Sequence, residues 1–284
     1  MLSAENTILT CPVCALSLLP YEKFYACANK HTFDKAKQGY VNLLLSNQKK
    51  TLEPGDNKEM VKSRLDFLKQ DHYLPIVETI NHAILENLQL MNITQPNITD
   101  LGCGVGYYLS KLKQDLATPF KDATYWGTDI SKEAIHCANQ QDKTISWLVC
   151  SSKNLPFAEQ SVDVILSVFA PLYIEEIQRV LAPHGKIFVV TPGRNHLFEL
   201  RRFLFDELKE IDDEKLLQKT DGFFTLEGSI PIQATIELNS SREIEDLLKM
   251  TPFYWRSSKI KKDVLVSQEN LSVTIDVTLW VFKN

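Results

Sequence analysis

Three cysteines and a histidine near the N-terminus have the types and spacing of metal ligands. Cys11 and Cys14 form a C-x2-C pair, and Cys27 and His31 follow as a C-x3-H pair. Two such pairs about a dozen residues apart are typical of a tetrahedral structural zinc site, in which protein fills all four positions. A thioredoxin-like redox motif is the alternative for the first pair, but it leaves Cys27 and His31 unexplained. The sequence therefore predicts structural zinc.

A second stretch that points to ligand binding is residues 100–106, which read DLGCGVG. An apolar run precedes it and a helical pattern follows, which predicts a strand, a glycine turn and a helix whose first N–H groups can face a ligand. The order acidic-x-G-x-G-x-G differs from the G-x-G-x-x-G of dinucleotide-binding proteins. It resembles the first motif of S-adenosylmethionine-dependent methyltransferases, and we expect Asp100, Gly102, Gly104 and Gly106 to contact that cofactor. The alternative is a glycine turn with no ligand.

Two further predicted strands end in polar residues suited to an adenosine. Asp129 ends the second strand, 29 residues after Asp100, where a carboxylate can accept both ribose hydroxyls. A helix N-cap is the alternative, because Ser131 and Glu133 follow. Ser151 follows the third strand, and its hydroxyl can bond to the adenine edge.

Tyr73 and His196 are the remaining candidates at this site. Tyr73 lies at the break between two predicted helices, just before the first strand of the sheet. It could pack on the cofactor or be a half-buried tyrosine at a helix boundary. His196 lies in the loop after the fifth strand, where it could contact the cofactor or the methyl acceptor, or be a solvated loop histidine.

The elements that must position these residues alternate between short apolar strands and helices from 97 to 192, which is typical of a parallel doubly wound sheet. Ligands bind at the carboxyl ends of the strands in such sheets. The expected fold class is therefore α/β, a Rossmann-like class I methyltransferase sheet with a small N-terminal zinc-binding module. The predicted strands are Ile98–Leu101, Tyr125–Asp129, Ile145–Cys150, Val162–Val168 and Lys186–Thr191.

Three segments divide the chain. We expect residues 1–50 to form a zinc-binding RNA-recognition module, 51–96 to form a linker and helices that cover the cofactor cleft, and 97–284 to form the methyltransferase domain. Residues 1–50 carry a net charge of +3, six lysines against three acids, with aromatic residues interleaved. Cations with aromatic faces are the composition of an RNA-binding surface. A lysine-coated surface around zinc is the alternative.

The C-terminal third is predicted to complete the sheet. A helix over Glu199–Lys209, a strand over Ile232–Leu238 and a helix over Ser241–Met250 precede a cleanly alternating strand at the C-terminal end. We expect this last strand to form a hairpin with Val264–Val266. Residues 251–256 (TPFYWR) combine aromatics with cations, which suits either an acceptor pocket or a cap on the sheet edge.

The overall composition excludes some classes of protein. The 284 residues are 44% hydrophobic and 24% charged, with a net charge of −5. This is ordinary for a globular protein and argues against a uniformly basic nucleic-acid binder. No apolar run is long enough to cross a bilayer and no signal-peptide pattern is found, so we expect a cytoplasmic protein with reduced thiols and no membrane partner.

Across nearly its whole length the chain resembles the 23S ribosomal RNA guanine-N1 methyltransferases, the family that modifies the loop of hairpin 35. The resemblance rests on CPVC…C…H followed by TFDKAKQGYVNLL, then EPGD, FLKQDHYLPI, DLGCGVGYY, SSKNLPF, FAP, TPGRNHLFEL and TPFYWR. It implies that the N-terminal quartet binds zinc and that Tyr73, Gly104, Val105 and His196 contact S-adenosylmethionine. It also implies 23S rRNA as the partner, with the guanine at position 745 favoured over that at 748.

Methyl transfer to N1 of guanine requires a base, because N1 carries a proton at neutral pH. Asp56 of the linker and His196 are the candidates, and no motif singles out either. Two other functions stay open at this point: a small-molecule methyltransferase, and a noncatalytic zinc-dependent RNA-binding protein. The oligomeric state is also open, a homodimer included.

Overall fold

The structure, a computed structural model, describes residues 7–49, 51–208, 211–212 and 214–284. The described residues form a small three-stranded sheet at the N-terminus and an eight-stranded mixed sheet that carries the rest of the chain. The small sheet is antiparallel and consists of β1 (Leu19–Pro20), β2 (Phe24–Ala26) and β3 (Thr32–Asp34).

The large sheet consists of β4 (Val41–Asn42), β5 (Asn97–Leu101), β6 (Thr124–Asp129), β7 (Ser146–Val149), β8 (Val162–Val168), β9 (Leu181–Pro192), β10 (Thr225–Leu238) and β11 (Leu271–Lys283). Its strand order is β10-β11-β9-β8-β5-β6-β7-β4, and only the pairs that include β11 are antiparallel. The chain order reverses between β5 and β8. Their carboxyl ends therefore form the crevice where ligands bind in this class of sheet.

Helices cover the sheet on both faces. Side chains along the parallel strands alternate between two hydrophobic clusters, as Val164 and Ile165 illustrate, which is the pattern of strands buried on both sides. The helices are α1 (Lys58–Leu68), α2 (Leu74–Met91), α3 (Tyr107–Leu116), α4 (Lys132–Gln141), α5 (Ile174–Val180), α6 (Phe198–Leu204), α7 (Glu214–Thr220), α8 (Ser241–Lys249), α9 (Phe253–Arg256) and α10 (Lys259–Val266). Within the described ranges, none of these helices is both long and apolar enough to span a membrane.

The predicted fold class is confirmed. β5 to β8 match the first four predicted strands closely, and the fifth begins earlier than predicted, at Leu181. The helix predicted over Glu199–Lys209 ends at Leu204, because Phe205 takes an extended backbone with φ −123°. Lys209 lies outside the described residues.

The predicted C-terminal hairpin is wrong in its partner strand. Val264–Val266 belong to α10, and β11 pairs instead with the long strand β10, in a register that joins Ile232 to Val277. The physical reason lies at the start of α10, where the Ser258 side chain accepts the N–H of Lys261 and caps a helix. The partly or fully buried residues of α10 are Lys261, Lys262, Leu265 and Val266, a four-residue recurrence that is typical of a helix and not of a strand.

The N-terminal module is bonded into the large sheet. β4 adds parallel to β7, and the N–H of Leu43 donates to the carbonyl of Val149 at 2.8 Å. A second attachment joins Leu9 to Phe157 as an isolated antiparallel bridge. The side chains of Leu9, Leu43 and Phe157 are buried in one hydrophobic cluster. The module is thus held at the β7 edge by backbone bonds and by apolar contact.

Candidate functional site

The N-terminal quartet comes together as the spacing predicts. The Sγ atoms of Cys11 and Cys27 lie 3.5 and 3.4 Å from Nδ1 of His31, and the Sγ atoms of Cys14 and Cys27 lie 3.6 Å apart. All four ligand atoms lie within 4.8 Å of one another. A tetrahedral zinc with Zn–S bonds of about 2.3 Å places its ligands about 3.5 to 3.8 Å apart. The donor set and its spacing therefore fit structural zinc.

The basic and aromatic residues of this module are partly engaged with each other. The Lys35 ammonium donates to the carbonyl of Tyr21 at 2.6 Å and lies 4.9 Å from the centre of the Tyr25 ring. Tyr21 stacks on Phe24 with ring centres 4.8 Å apart, and 49% of Tyr21 remains exposed. Lys35 and Tyr25 thus fit the alternative of a surface packed around zinc, whereas Tyr21 offers a free aromatic surface.

A cavity of about 1020 Å³ opens at the carboxyl ends of β5, β8 and β9. Its floor is the glycine turn after β5, and its walls come from the ends of β8 and β9, from α1, and from the segment around α9. Six of the nine predicted cofactor residues line it: Tyr73, Asp100, Gly102, Gly104, Val105 and His196. The other three, Gly106, Asp129 and Ser151, lie beyond its lining.

The glycine turn needs its glycines for different reasons. Gly104 has φ +54° and faces the cavity, where a Cβ would lie 3.3 Å from the Arg64 guanidinium. Gly106 has φ +78°, and a Cβ there would lie 2.4 Å from the buried Trp147 ring. Gly104 therefore keeps the backbone open towards a ligand, whereas Gly106 lets α3 pack closely on the sheet.

Asp129 supports the turn from behind. One of its carboxylate oxygens accepts the N–H of Gly104 at 2.9 Å, and the other accepts the N–H of Ser131 at 2.7 Å. Ser131, not Asp129, is the N-cap of α4, because its hydroxyl accepts the N–H of Ala134. Burial raises the pKa of Asp129, although these two N–H groups act in the opposite direction.

Asp100 is a buried carboxyl with an unused atom. It is 1% exposed, and its Oδ2 has no hydrogen-bond partner among the residues that the structure describes. Burial, with a smaller contribution from the charge of Asp129, raises the pKa of Asp100 to about 8. An unpartnered carboxylate oxygen beside an open cavity suits a positively charged ligand group.

Tyr73 and His196 form an aromatic group with Phe169. The ring of His196 stacks on that of Phe169 with centres 5.4 Å apart, and Tyr73 lies 6.3 Å from Phe169. Nδ1 of His196 accepts the N–H of Asp276 at 3.4 Å. Burial lowers the pKa of His196 to about 4, against the opposing charge of Asp276. The imidazole is therefore neutral at pH 7 and carries its proton on Nε2.

Arg64, which the sequence analysis did not single out, closes the side of the cavity at α1. Arg64 forms an ion pair with Asp56 at 2.9 Å and donates to the carbonyl of Met250 at 3.1 Å. The carbonyl of Asp56 in turn accepts the hydroxyl of Ser131 at 2.7 Å. The linker thus lies directly over the segment that follows Asp129. No motif marks Arg64, because Asp56 belongs to the linker outside its helix and Met250 is 186 residues away in the sequence.

Ser151, which we expected to contact the adenine, does not line the cavity, and the aromatic stretch 251–256 lines it only in part. Ser151 is buried, and its hydroxyl accepts the N–H of Lys153 at 3.3 Å. Phe253 and Arg256 line the cavity, whereas Trp255 is 58% exposed. Glu207 also lines the cavity, and the sequence offered no signal for it.

The comparisons with known proteins agree with this geometry. A methyltransferase-domain family model matches residues 99–189, and a zinc-ribbon model described as RlmA, N-terminal, matches residues 9–52. With the doubly wound sheet and the glycine turn after β5, these matches define a class I S-adenosylmethionine-dependent methyltransferase that carries a structural zinc ribbon.

Relatives that align over nearly the full length of the chain identify the family within this class of methyltransferase. A 23S rRNA (guanine(748)-N(1))-methyltransferase of Streptomyces fradiae is 30% identical over 278 residues, which cover 96% of this chain and 95% of that one. The Bacillus subtilis (strain 168) protein YxjB, whose name assigns it provisionally to 23S rRNA guanine-N1 methylation, is 27% identical over 98% of both chains. The chain belongs to the 23S rRNA (guanine-N1)-methyltransferase family.

Proposed function

We propose that this enzyme transfers the methyl group of S-adenosylmethionine to N1 of a guanine in the hairpin 35 loop of 23S rRNA. The observation that supports this proposal most strongly is the similarity to a relative named for that chemistry. The similarity extends over the full length and includes both the zinc ribbon and the methyltransferase domain. The resemblance stated from the sequence is closer to the 745 branch of the family, whereas the Streptomyces relative is named for position 748. The same proposal places the enzyme in the cytoplasm, where it would act on ribosomal RNA.

The methionine end of the cofactor is proposed to lie above the glycine turn. Asp100 supports this placement, because its unpartnered Oδ2 would accept the cofactor ammonium. The neutral His196 would donate its Nε2–H to the carboxylate, and Tyr73 would pack beside the methionine chain. Gly102, Gly104 and Val105 would supply the close backbone surface.

The adenosine end is proposed to reach towards Asp129 and Ser151. Since the linker and the Asp56–Arg64 ion pair lie over that region, cofactor binding would require this cover to shift. Gly106 is a packing residue in this scheme and supports the turn without touching the cofactor.

The proton on guanine N1 needs an acceptor, and neither earlier candidate suits the role. Asp56 is ion-paired with Arg64 and does not line the cavity, and His196 carries its proton on Nε2 while Nδ1 is occupied. The carboxylates that line the cavity in the described part of the chain are Asp100 and Glu207. Because Asp100 is assigned to the cofactor, we infer that Glu207 takes the N1 proton.

The position of Glu207 supports this assignment. Phe205 contacts Phe253 edge-on at 5.9 Å, and Asp206 pairs with Lys261 at 2.7 Å. Glu207 therefore belongs to the wall built by the C-terminal helices. That wall contains Arg256, a cation suited to an RNA phosphate.

Mass mapping of 23S rRNA tests the function. RNA from a strain that lacks this gene should lose one N1-methylguanine in hairpin 35, and the purified enzyme with S-adenosylmethionine should restore it. The position of the restored methyl group distinguishes 745 from 748. An unchanged set of N1-methylguanines in the deletion strain would contradict the proposal.

Salt dependence separates this function from methylation of a small molecule. Binding that neutralises RNA phosphates weakens steeply with salt, because counterions are released. The affinity for a hairpin RNA should therefore fall by about an order of magnitude or more between 50 and 200 mM salt. An affinity that is independent of salt would favour a small neutral acceptor.

A further inference from the structure

Phe169 holds a backbone conformation that bulky residues rarely adopt. It is the first residue after β8 and has φ +55°, in the left-handed region. Its N–H donates to the carbonyl of Val190 at 3.1 Å, which keeps the residue in register with β9. Such conformations cost free energy and collect at functional sites, where the surrounding structure maintains them.

The strained backbone projects the Phe169 ring into the cavity. The residue lines the cavity and remains 42% exposed, although it lies among buried strand ends. Its ring stacks on His196 at an interplanar angle of 26°, which fixes the ring orientation. An aromatic ring held in this way leaves a free apolar surface in the site.

The segment that follows Phe169 lies against the glycine turn. A Cβ on Gly102 would lie 2.6 Å from the Cβ of Ala170, so the two backbones are in close contact. Whatever rests on Phe169 is therefore next to the turn above which the methyl donor is proposed to lie.

We propose that Phe169 is the stacking surface for the target guanine, and that its ring positions N1 of that base towards the methyl donor. This inference rests on the proposed function, because a planar purine is the acceptor that such a surface fits. Stacking of a base on an aromatic side chain strengthens binding by about 10- to 100-fold. His196 would back the ring from its stacked face, in the order guanine, Phe169, His196.

The test uses the full-length, zinc-loaded enzyme and a hairpin 35 RNA. Single-turnover methylation is measured with the natural RNA, and the fluorescence of 2-aminopurine is measured with that base at the target position. F169L removes the aromatic face and should lower the single-turnover rate constant or the RNA affinity by about 10-fold or more. It should also reduce quenching of the 2-aminopurine. F169W should retain both properties.

Two further variants separate stacking from folding. F169G removes the ring and its contacts with His196 and Tyr73 but also relieves the positive φ. These effects oppose each other, so its stability against urea should stay close to that of the wild type while its activity falls. F223L changes another exposed aromatic, which is 37% exposed and lies outside the cavity lining. F223L should behave as the wild type in both assays.

The outcomes are distinct. If the wild type methylates N1 of the guanine and F169L equals it in rate, RNA affinity and quenching, the stacking role is overturned. The same holds if F169G and F169L both lose S-adenosylmethionine binding and unfold at far lower urea than the wild type, because the loss of activity would then come from the fold. If the wild type leaves guanine N1 unmethylated, the proposed function itself fails, whatever Phe169 does.

Discussion

At the scale of single residues, burial in the cavity shifts the pKa values of two ionisable groups towards their neutral forms. Burial raises the pKa of the Asp100 carboxyl and lowers that of the His196 imidazole. Each shift favours the neutral form of the group. A cofactor ammonium that bound Asp100, as proposed, would stabilise the carboxylate and lower its pKa. Cofactor binding would then release a proton from Asp100.

The shift at His196 makes a prediction about acid stability. The unfolded imidazole titrates near pH 6.5 and the folded one near 4. The unfolded state therefore binds more protons between these values, and acidification destabilises the native state. The contribution reaches about 3 kcal/mol at most. Urea unfolding from pH 7 to pH 5 should show less loss of stability in H196Q than in the wild type.

Comparison of the wild type with H196Q isolates the effect of His196. Asp100 changes the stability with pH in the opposite direction, but it does so equally in both proteins. The raised pKa of Asp100 makes stability fall as pH rises from its ordinary pKa of 3.8 to about 8. Equal slopes for the wild type and H196Q would show that the imidazole is not buried in its neutral form.

Substitution of Glu207 tests whether it accepts the guanine N1 proton, and the same substitution type at its neighbour Asp206 is the control. E207Q should reduce single-turnover methylation by about 100-fold or more, because a positioned base is lost, with S-adenosylmethionine affinity unchanged. Its rate should keep rising with pH, since the guanine must then lose its proton to solvent. D206N removes only the exposed pair with Lys261 and should leave the rate within about threefold. A wild-type rate in E207Q would exclude Glu207.

At the scale of elements, the junction between β5 and α3 depends on Gly106. An alanine there would place its Cβ 2.4 Å from Trp147 in a left-handed backbone. We expect G106A to lower the free energy of unfolding by about 2 to 4 kcal/mol, from overpacking and strain together.

Gly222 provides the control, because it has φ +76° and nothing lies within 4 Å of its Cβ position. G222A should cost only the backbone strain, about 1 kcal/mol. Urea unfolding of both variants measures the difference. Equal losses would mean that contact with Trp147 contributes nothing to the requirement for glycine.

The elements also show what the sequence could reveal. The parallel strands were predictable because each is a short run of apolar residues between helical patterns, as at Val162–Val168. The partner of β11 was not, because Val264–Val266 is apolar and close in sequence but lies in a helix that begins at a Ser258 cap. The two-residue strand β4 was missed, since nothing local distinguishes it from a loop.

The residues of the site also divide into those that local sequence identifies and those that depend on tertiary packing. Ligand types and spacing identified the zinc quartet and the glycine turn, because those constraints act between neighbours in the sequence. Arg64 and Glu207 reach the cavity only through the packing of distant segments, and no spacing rule describes that. Phe169 directly follows a predicted strand, so its place at the carboxyl edge of the sheet was predictable, whereas its contact with His196 was not. The linker over Asp129 is likewise a tertiary contact, made through Ser131.

At the scale of the whole molecule, the zinc ribbon and the methyltransferase sheet share one hydrogen-bonded edge. Chelation of zinc should therefore destabilise more than the ribbon. We expect faster hydrogen exchange at Val41–Leu43 and at Leu148–Val149, because zinc holds the module that pairs there. Exchange in β9–β11, on the far side of the sheet, should change little.

Variants give the control for that experiment. C11S/C14S should lose bound zinc and reproduce the exchange pattern of the chelated protein. C137S replaces a buried thiol of α4 outside the quartet and should keep its zinc and its protection at β4. Full zinc content in C11S/C14S would rule out the metal site.

The pairing of β4 with β7 also has a consequence for synthesis of the chain. Val41 pairs with Leu148, so about a hundred residues must be translated before the pairing can form. This takes roughly 5 to 20 s at elongation rates of about 5 to 20 residues per second. During that interval the nascent ribbon cannot yet bury Leu9 and Leu43 against Phe157. Zinc captured during translation would then hold the ribbon until its partner strand emerges.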